Sequence, residues 1–191
     1  MLPSSQRRLN LISILSILLL LACTPALNWR DVRLESTHGS TLKATLPCKP
    51  DTATRKQQLG DSQVELSMMG CIVNDVTFTL SHIHVADPLA APKVLAAWQA
   101  AAVVNVKAVP SATKSEFTSP ATISGAGAWP PAVRATLIGD NIQAQMLWFA
   151  KQGSTGLMLY QVALYDKQDQ NKGLRTNVEA DKTFFESLQL Q

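Results

Sequence analysis

The amino-acid sequence predicts an α+β fold: an antiparallel β-sheet meander with helices packed on it. Three observations predict it. Between residues 40 and 85, apolar and polar residues alternate with the period of two that half-buried strands require. After Asp87 the apolar spacing changes to that of a helix, and a second block of strand-like segments, 132 to 165, is followed by one more helical segment. The order strands, helix, strands, helix, without an internal repeat, describes helices segregated onto an antiparallel sheet.

The first strand signal is "STLKATLP" (40 to 47), which alternates and stops at proline. Next, "TATRKQQL" and "SQVELSMMGCIV" (62 to 73) flank Gly60-Asp61, a two-residue hairpin turn that sets residue 59 opposite 62. A second two-residue turn, Asn74-Asp75, leads into "VTFTLSHIHV" (76 to 85), with Val76, Phe78 and Leu80 on one face and Thr77, Thr79 and Ser81 on the other. Asp87-Pro88 then reads as an N-cap followed by proline at the first helical position. Leu95, Trp98 and Ala102 recur at helical spacing behind it, so this helix covers one face of the sheet. Residues 110 to 131 are rich in Ser, Thr, Ala, Gly and Pro, with a short strand near "EFTSPATI" and a loop at "SGAGAWPP". Strands at 132 to 138, 142 to 151 and 156 to 165 follow. Thr176 and Glu179 have capping-box spacing, and Ala180, Phe184 and Leu188 line up on a closing helix.

The chain has 191 residues, 46% hydrophobic and 16% charged, which describes one globular domain with a real core rather than a disordered chain. Its formal net charge of +3 includes Arg7 and Arg8, which lie ahead of the fold. The other basic residues are dispersed, so no nucleic-acid footprint is present.

Residues 1 to 22 have the three parts of an export signal: basic "SSQRR", an apolar stretch from Leu11 to Leu21, and the small residue Ala22. A helix of about eleven residues spans roughly 16 Å, half of a hydrocarbon core of about 30 Å, so a stable transmembrane span is excluded. "LLAC", Leu20 to Cys23, resembles the bacterial lipobox. The resemblance implies cleavage before Cys23 and three acyl chains on that residue, which hold a protein essentially permanently where one alone anchors marginally. The competing reading is an ordinary secretory signal with an incidental, unpaired thiol. Thr24 and Pro25 lack the aspartate that commonly retains such proteins at the inner membrane of enteric bacteria, which points to the outer membrane, periplasmic side. The expected organisation is a signal peptide over 1–22, a lipidated tether over 23–28 and one periplasmic domain over 29–191. Five residues, Thr24 to Asn28, reach at most about 17 Å, so the domain sits close to the headgroups. Trp29 is placed for the membrane interface, where indole rings are favoured.

Two cysteines remain, Cys48 and Cys71. An even pair in an oxidising compartment predicts a disulfide. The Gly60-Asp61 register, extrapolated, sets residue 50 opposite 71, and Cys48 is two places away, so a slight bend or bulge closes the bridge. The alternative, a reactive thiol, lacks a Cys-x-x-Cys spacing and an activating partner.

The "TLKATLPCKP" opening, the long middle helix and the closing "TFFESLQL" together resemble the family of PsbP, the extrinsic photosystem II protein, and its bacterial relatives. That resemblance covers most of residues 29 to 191. It implies an α/β/α sandwich and carries no catalytic residue across.

Few constellations carry chemistry. His82 and His84 sit at alternate positions of one strand and so share a face, where two imidazoles can approach one metal ion. A third ligand is missing: nothing in the sequence places His38 nearby, and Asp87 or another carboxylate would have to serve. The plainer reading is two histidines at the solvated end of an apolar strand. Gly-x-Ser-x-Gly is absent, and "GAGAWP" puts Trp129 and Pro130 where a dinucleotide-binding helix would start. Trp98 and Trp148 fall on core faces, whereas Trp129 stands in a loop as a contact candidate. The expectation is a non-enzymatic outer-membrane lipoprotein without cofactor, anchored through Cys23 and serving an unidentified envelope protein or envelope assembly. The alternatives are a small-molecule or lipid-binding module with a cleft between sheet and middle helix near Trp129, and, least favoured, a metal-dependent enzyme at His82 and His84.

Overall fold

The computed structural model describes residues 27–107, 116–118, 121–167 and 178–191. The expected signal peptide, Cys23, most of the expected tether and the Thr176 half of the capping box lie outside the described residues. The elements, in chain order, are strands β1 (Arg30–Glu35), β2 (Thr41–Leu46), β3 (Asp51–Leu59), β4 (Ser62–Val73) and β5 (Val76–Val85), then a 3-10 turn (Pro88–Ala90) and helix α1 (Ala91–Val106). Strands β6 (Glu116–Thr118), β7 (Val133–Ile138), β8 (Ile142–Gln152) and β9 (Leu157–Lys167), helix α2 (Val178–Glu186) and strand β10 (Gln189–Leu190) complete them.

The molecule is mixed α+β with antiparallel sheets. Seven strands form the larger sheet in the order β3-β4-β5-β9-β8-β7-β6. Both two-residue turns set the register expected: Leu59 faces Ser62 and Val73 faces Val76. The second turn places Asn74 and Asp75 both at positive φ, a conformation that Asn and Asp tolerate better than other side chains.

One correction concerns the 40–47 segment. It does not join the meander. As β2 it forms a separate three-stranded sheet, β1-β2-β10, flanked by two strands that periodicity did not pick out. Strand β1 is six residues with one buried side chain, Leu34, and β10 is only two residues long, too short for any alternation to register. A second correction concerns the middle helix: Asp87 does cap, accepting the Leu89 N–H at 3.0 Å, but residues 88–90 wind as a 3-10 turn before α1 begins.

The centre of the larger sheet, strands β5, β9 and β8, is buried on both faces. On one, α1 lays Val94, Leu95, Trp98, Ala102 and Val106 over Leu66, Ile83, Leu137, Met146, Trp148 and Leu159. On the other, Phe78, Leu80, Leu147, Phe149, Tyr160 and Val162 meet Leu42 and Leu46 of the small sheet and Phe184, Phe185 and Leu188 at α2. Burial on both sides explains why β9 reads as a nearly unbroken apolar run. Taken with the 3-10 turn, the helical stretch Pro88–Val106 is long and apolar enough to cross a membrane by length and composition alone, yet the inner stripe of α1 packs on the sheet.

Candidate functional site

All three histidines of the chain gather at one end of the molecule. His82 and His84 project from the last turn of pleats in β5, on the face toward the small sheet. His38 comes from the β1–β2 turn. Its ring stacks on that of His84, with centroids 3.5 Å apart and planes 6° from parallel. The expectation that nothing brings His38 near the pair is thus corrected. The reason is long-range: the β1–β2 turn folds onto the β8–β9 turn, where the Ser154 N–H donates to the His38 carbonyl at 2.8 Å.

The tautomers follow from the partners, because a carbonyl only accepts. His82 Nε2–H donates to the Glu35 carbonyl at 3.1 Å, and His84 Nε2–H donates to the Thr155 carbonyl. His38 Nδ1 lies 3.3 Å from the Thr155 hydroxyl. His82 Nδ1 is buried without a hydrogen-bond partner in the structure. Burial in the apolar layer pushes the His82 imidazole below its usual value, and the neighbouring His38 adds to this; the Glu35 carbonyl and Glu65 pull the other way. Close by, the Tyr160 hydroxyl and Ser40 Oγ are 2.6 Å apart in a buried pair, and burial raises the phenol.

This arrangement latches two turns and does not converge on an ion. A metal is met by ring lone pairs, which lie in the ring planes, and the planes of His38 and His84 run parallel one above the other instead of pointing at a common point. Among the described residues no group of three or more His, Cys, Asp or Glu is placed to hold a metal. Asp87, considered as a third ligand, is engaged as the cap of the 3-10 turn.

The cysteine pair is joined. Cys48 and Cys71 form a disulfide with Cα atoms 5.9 Å apart. The β3–β4 register runs as the hairpin count required as far as Asp51 opposite Gly70, next to Cys71. Since Cys48 follows β2 and Cys71 lies in β4, the bond ties the small sheet to the large one.

Compared with protein-family models, with curated proteins and with solved structures, the chain matches none.

Trp98 and Trp148 are core residues, 5% and 0% exposed, while Trp129 is 48% exposed. The Trp129 loop is held at several points: the Gly127 N–H donates to the Ala150 carbonyl at 2.7 Å, and Ser124 bridges Gln189 in parallel. Gly125, at φ +82°, passes so close to the Leu190 carbonyl that no Cβ fits. Ala121, Ile123 and Ala126 of this loop pack into the small-sheet layer, not under α1. Two of the grooves lined by described residues leave Trp129 out. One, of about 460 Å³, runs along Ala53, Met68, Ile72, Thr77 and Thr79, and the other, of about 330 Å³, crosses Arg33, Lys43, Thr45 and Ser187.

Proposed function

We propose that the protein is a bacterial lipoprotein. Signal peptidase cleaves ahead of Cys23, acyl chains on that cysteine hold the chain in the outer membrane, and the domain faces the periplasm. There it works without catalysis, as an interaction or envelope-assembly component. The observation that carries this reading is the Cys48–Cys71 bond. It is the kind of link kept by exported domains, and it uses two of the three cysteines, leaving the third at the end of an apolar stretch too short to span a bilayer. The PsbP-like assignment is part of the same proposal; the layer order of helix, sheet and closing helix supports it. For the contact with an envelope protein, Trp129 is favoured, as a half-exposed aromatic side chain on a loop whose backbone is pinned on both sides.

The test is metabolic labelling with palmitate and membrane fractionation of the full chain and of Cys23→Ala. The expected result is label and membrane retention in the first and neither in the second. A variant that labels and fractionates like the parent would overturn the reading.

A further inference from the structure

We propose that the end of the domain marked by Ile72, Val104 and Ile138 is a membrane-contact face, seated in the headgroup and upper acyl region of a phospholipid bilayer. The proposal rests on the lipoprotein reading, because it is the anchor on Cys23 that brings this end to the bilayer.

The strand registers set Ile72 and Ile138 at the same end of the larger sheet, and the contact of α1 with the β7–β8 turn brings Val104 to that end. Ile138 pairs with Gln143, Gln143 with Asp166, Asp166 with Val76, and Val76 with Val73, so these five residues form one row across the sheet. Ile72 stands in the adjoining row, opposite Thr77, and so projects from the face that α1 covers while Ile138 projects from the other, and the two flank this end of the sheet on both sides. Four strand spacings of about 4.8 Å separate Ile72 from Ile138, or roughly 19 Å. Val104 belongs to the last turn of α1, whose Val106 carbonyl presses on Gly139 in the β7–β8 turn so closely that a Cβ there would collide with it. The three are 70%, 72% and 52% exposed. Single exposed aliphatics are ordinary on a soluble protein; three of the five exposed large hydrophobic side chains among the described residues collected at one end are not.

The same end receives the chain from the anchor. The Asn28 N–H donates to the Pro47 carbonyl at 2.8 Å, Cys48 follows Pro47, the disulfide leads to Cys71, and Ile72 is next. Every link is a covalent or hydrogen bond. With about 17 Å of reach between Cys23 and Asn28, the anchor holds this end nearest to the lipid and the histidine end farthest from it.

Charge decides the kind of contact. Lys49, Lys107 and Lys167 are exposed at this end, but so are Asp51, Asp75 and Asp140. Among the described residues these charges balance, three against three, and so supply no net attraction to anionic headgroups. Insertion of the aliphatic side chains is the driving term, with the lysine stems reaching back to the phosphates, and contact is accordingly insensitive to salt.

The test places a photocrosslinking amino acid in the full acylated chain at position 72, 104 or 138, and as controls at 89 or 129, in vesicles of phosphatidylethanolamine and phosphatidylglycerol. All five sites are exposed, so the fold is kept, and circular dichroism verifies it. The expected yield of phospholipid adducts is at least about fivefold higher at 72, 104 and 138 than at the controls, in low and in physiological salt. Equal yields at both ends from acylated, vesicle-bound protein would sink this inference and leave the anchor standing. Protein that carries no acyl chain and does not stay with the vesicles would remove the anchor and this inference together.

Discussion

His82 shows how one side chain couples local geometry to solution behaviour. It donates through Nε2 to the Glu35 carbonyl while its other nitrogen is buried without a partner, and burial keeps the imidazole below its usual value. Protonation is therefore easier in the unfolded chain than in the folded one. Stability is fully present above the unfolded value near 6.5 and is lost as pH falls from there toward the lower folded value. The urea midpoint of the parent should fall between pH 6.5 and 5. His82→Gln keeps a donor for Glu35 and removes the titration, so its midpoint should change less over that interval; an identical pH profile in both proteins would show that His82 is not responsible. Asp181, whose carboxyl burial raises, acts in the opposite direction and so does not mimic the effect.

At the level of elements, the disulfide is the joint between two sheets that share no strand. Cys48 ends the approach from β2 and Cys71 lies inside β4, 23 residues apart in sequence. For a closed loop of that size the chain-entropy model gives about 3 kcal/mol. The Cys48→Ala, Cys71→Ala double variant should lose about 2–4 kcal/mol in chemical denaturation, and added reductant should change the parent but not the variant. This bond was legible in the sequence because hairpin arithmetic is local: two residues at Gly60-Asp61 set every pair behind them, and Cys48 falls within reach. The same locality found β3, β4, β5, α1 and the core tryptophans. It failed for β1, where a single buried side chain leaves no alternation to read, for β10, whose partner lies far away in the chain, and for His38, whose place against His84 depends on two turns meeting from strands over a hundred residues apart. Alternation reports which face a residue takes; it does not report which strand lies alongside.

The whole molecule is organised as layers, with α1 on one side of a sheet of long strands and the small sheet with α2 on the other. Its two ends differ in character. One carries the stacked histidines and the polar contacts of the β1–β2 and β8–β9 turns; the other carries the disulfide, the entry of the chain and the exposed Ile72, Val104 and Ile138. The small sheet depends on β10, where Leu190, 5% exposed, pairs with Leu42 and packs into the second layer. Leu190→Ala should cost about 2–4 kcal/mol, as for other buried leucines, and the loss should appear as a lower denaturation midpoint with an unchanged slope. A loss under about 0.5 kcal/mol would mean that the sheet does not need its third strand.

Strand β10 also sets a clock. Its partner β2 lies near the start of the domain, with Gln189 opposite Lys43. A growing chain lengthens at about 5–20 residues per second, so β2 waits on the order of ten seconds between leaving the ribosome and meeting the strand that completes it. Throughout that interval one backbone edge of β2 is open to any extended segment that passes. A protein built this way has reason to be kept unfolded until it is whole, and to close its first sheet last.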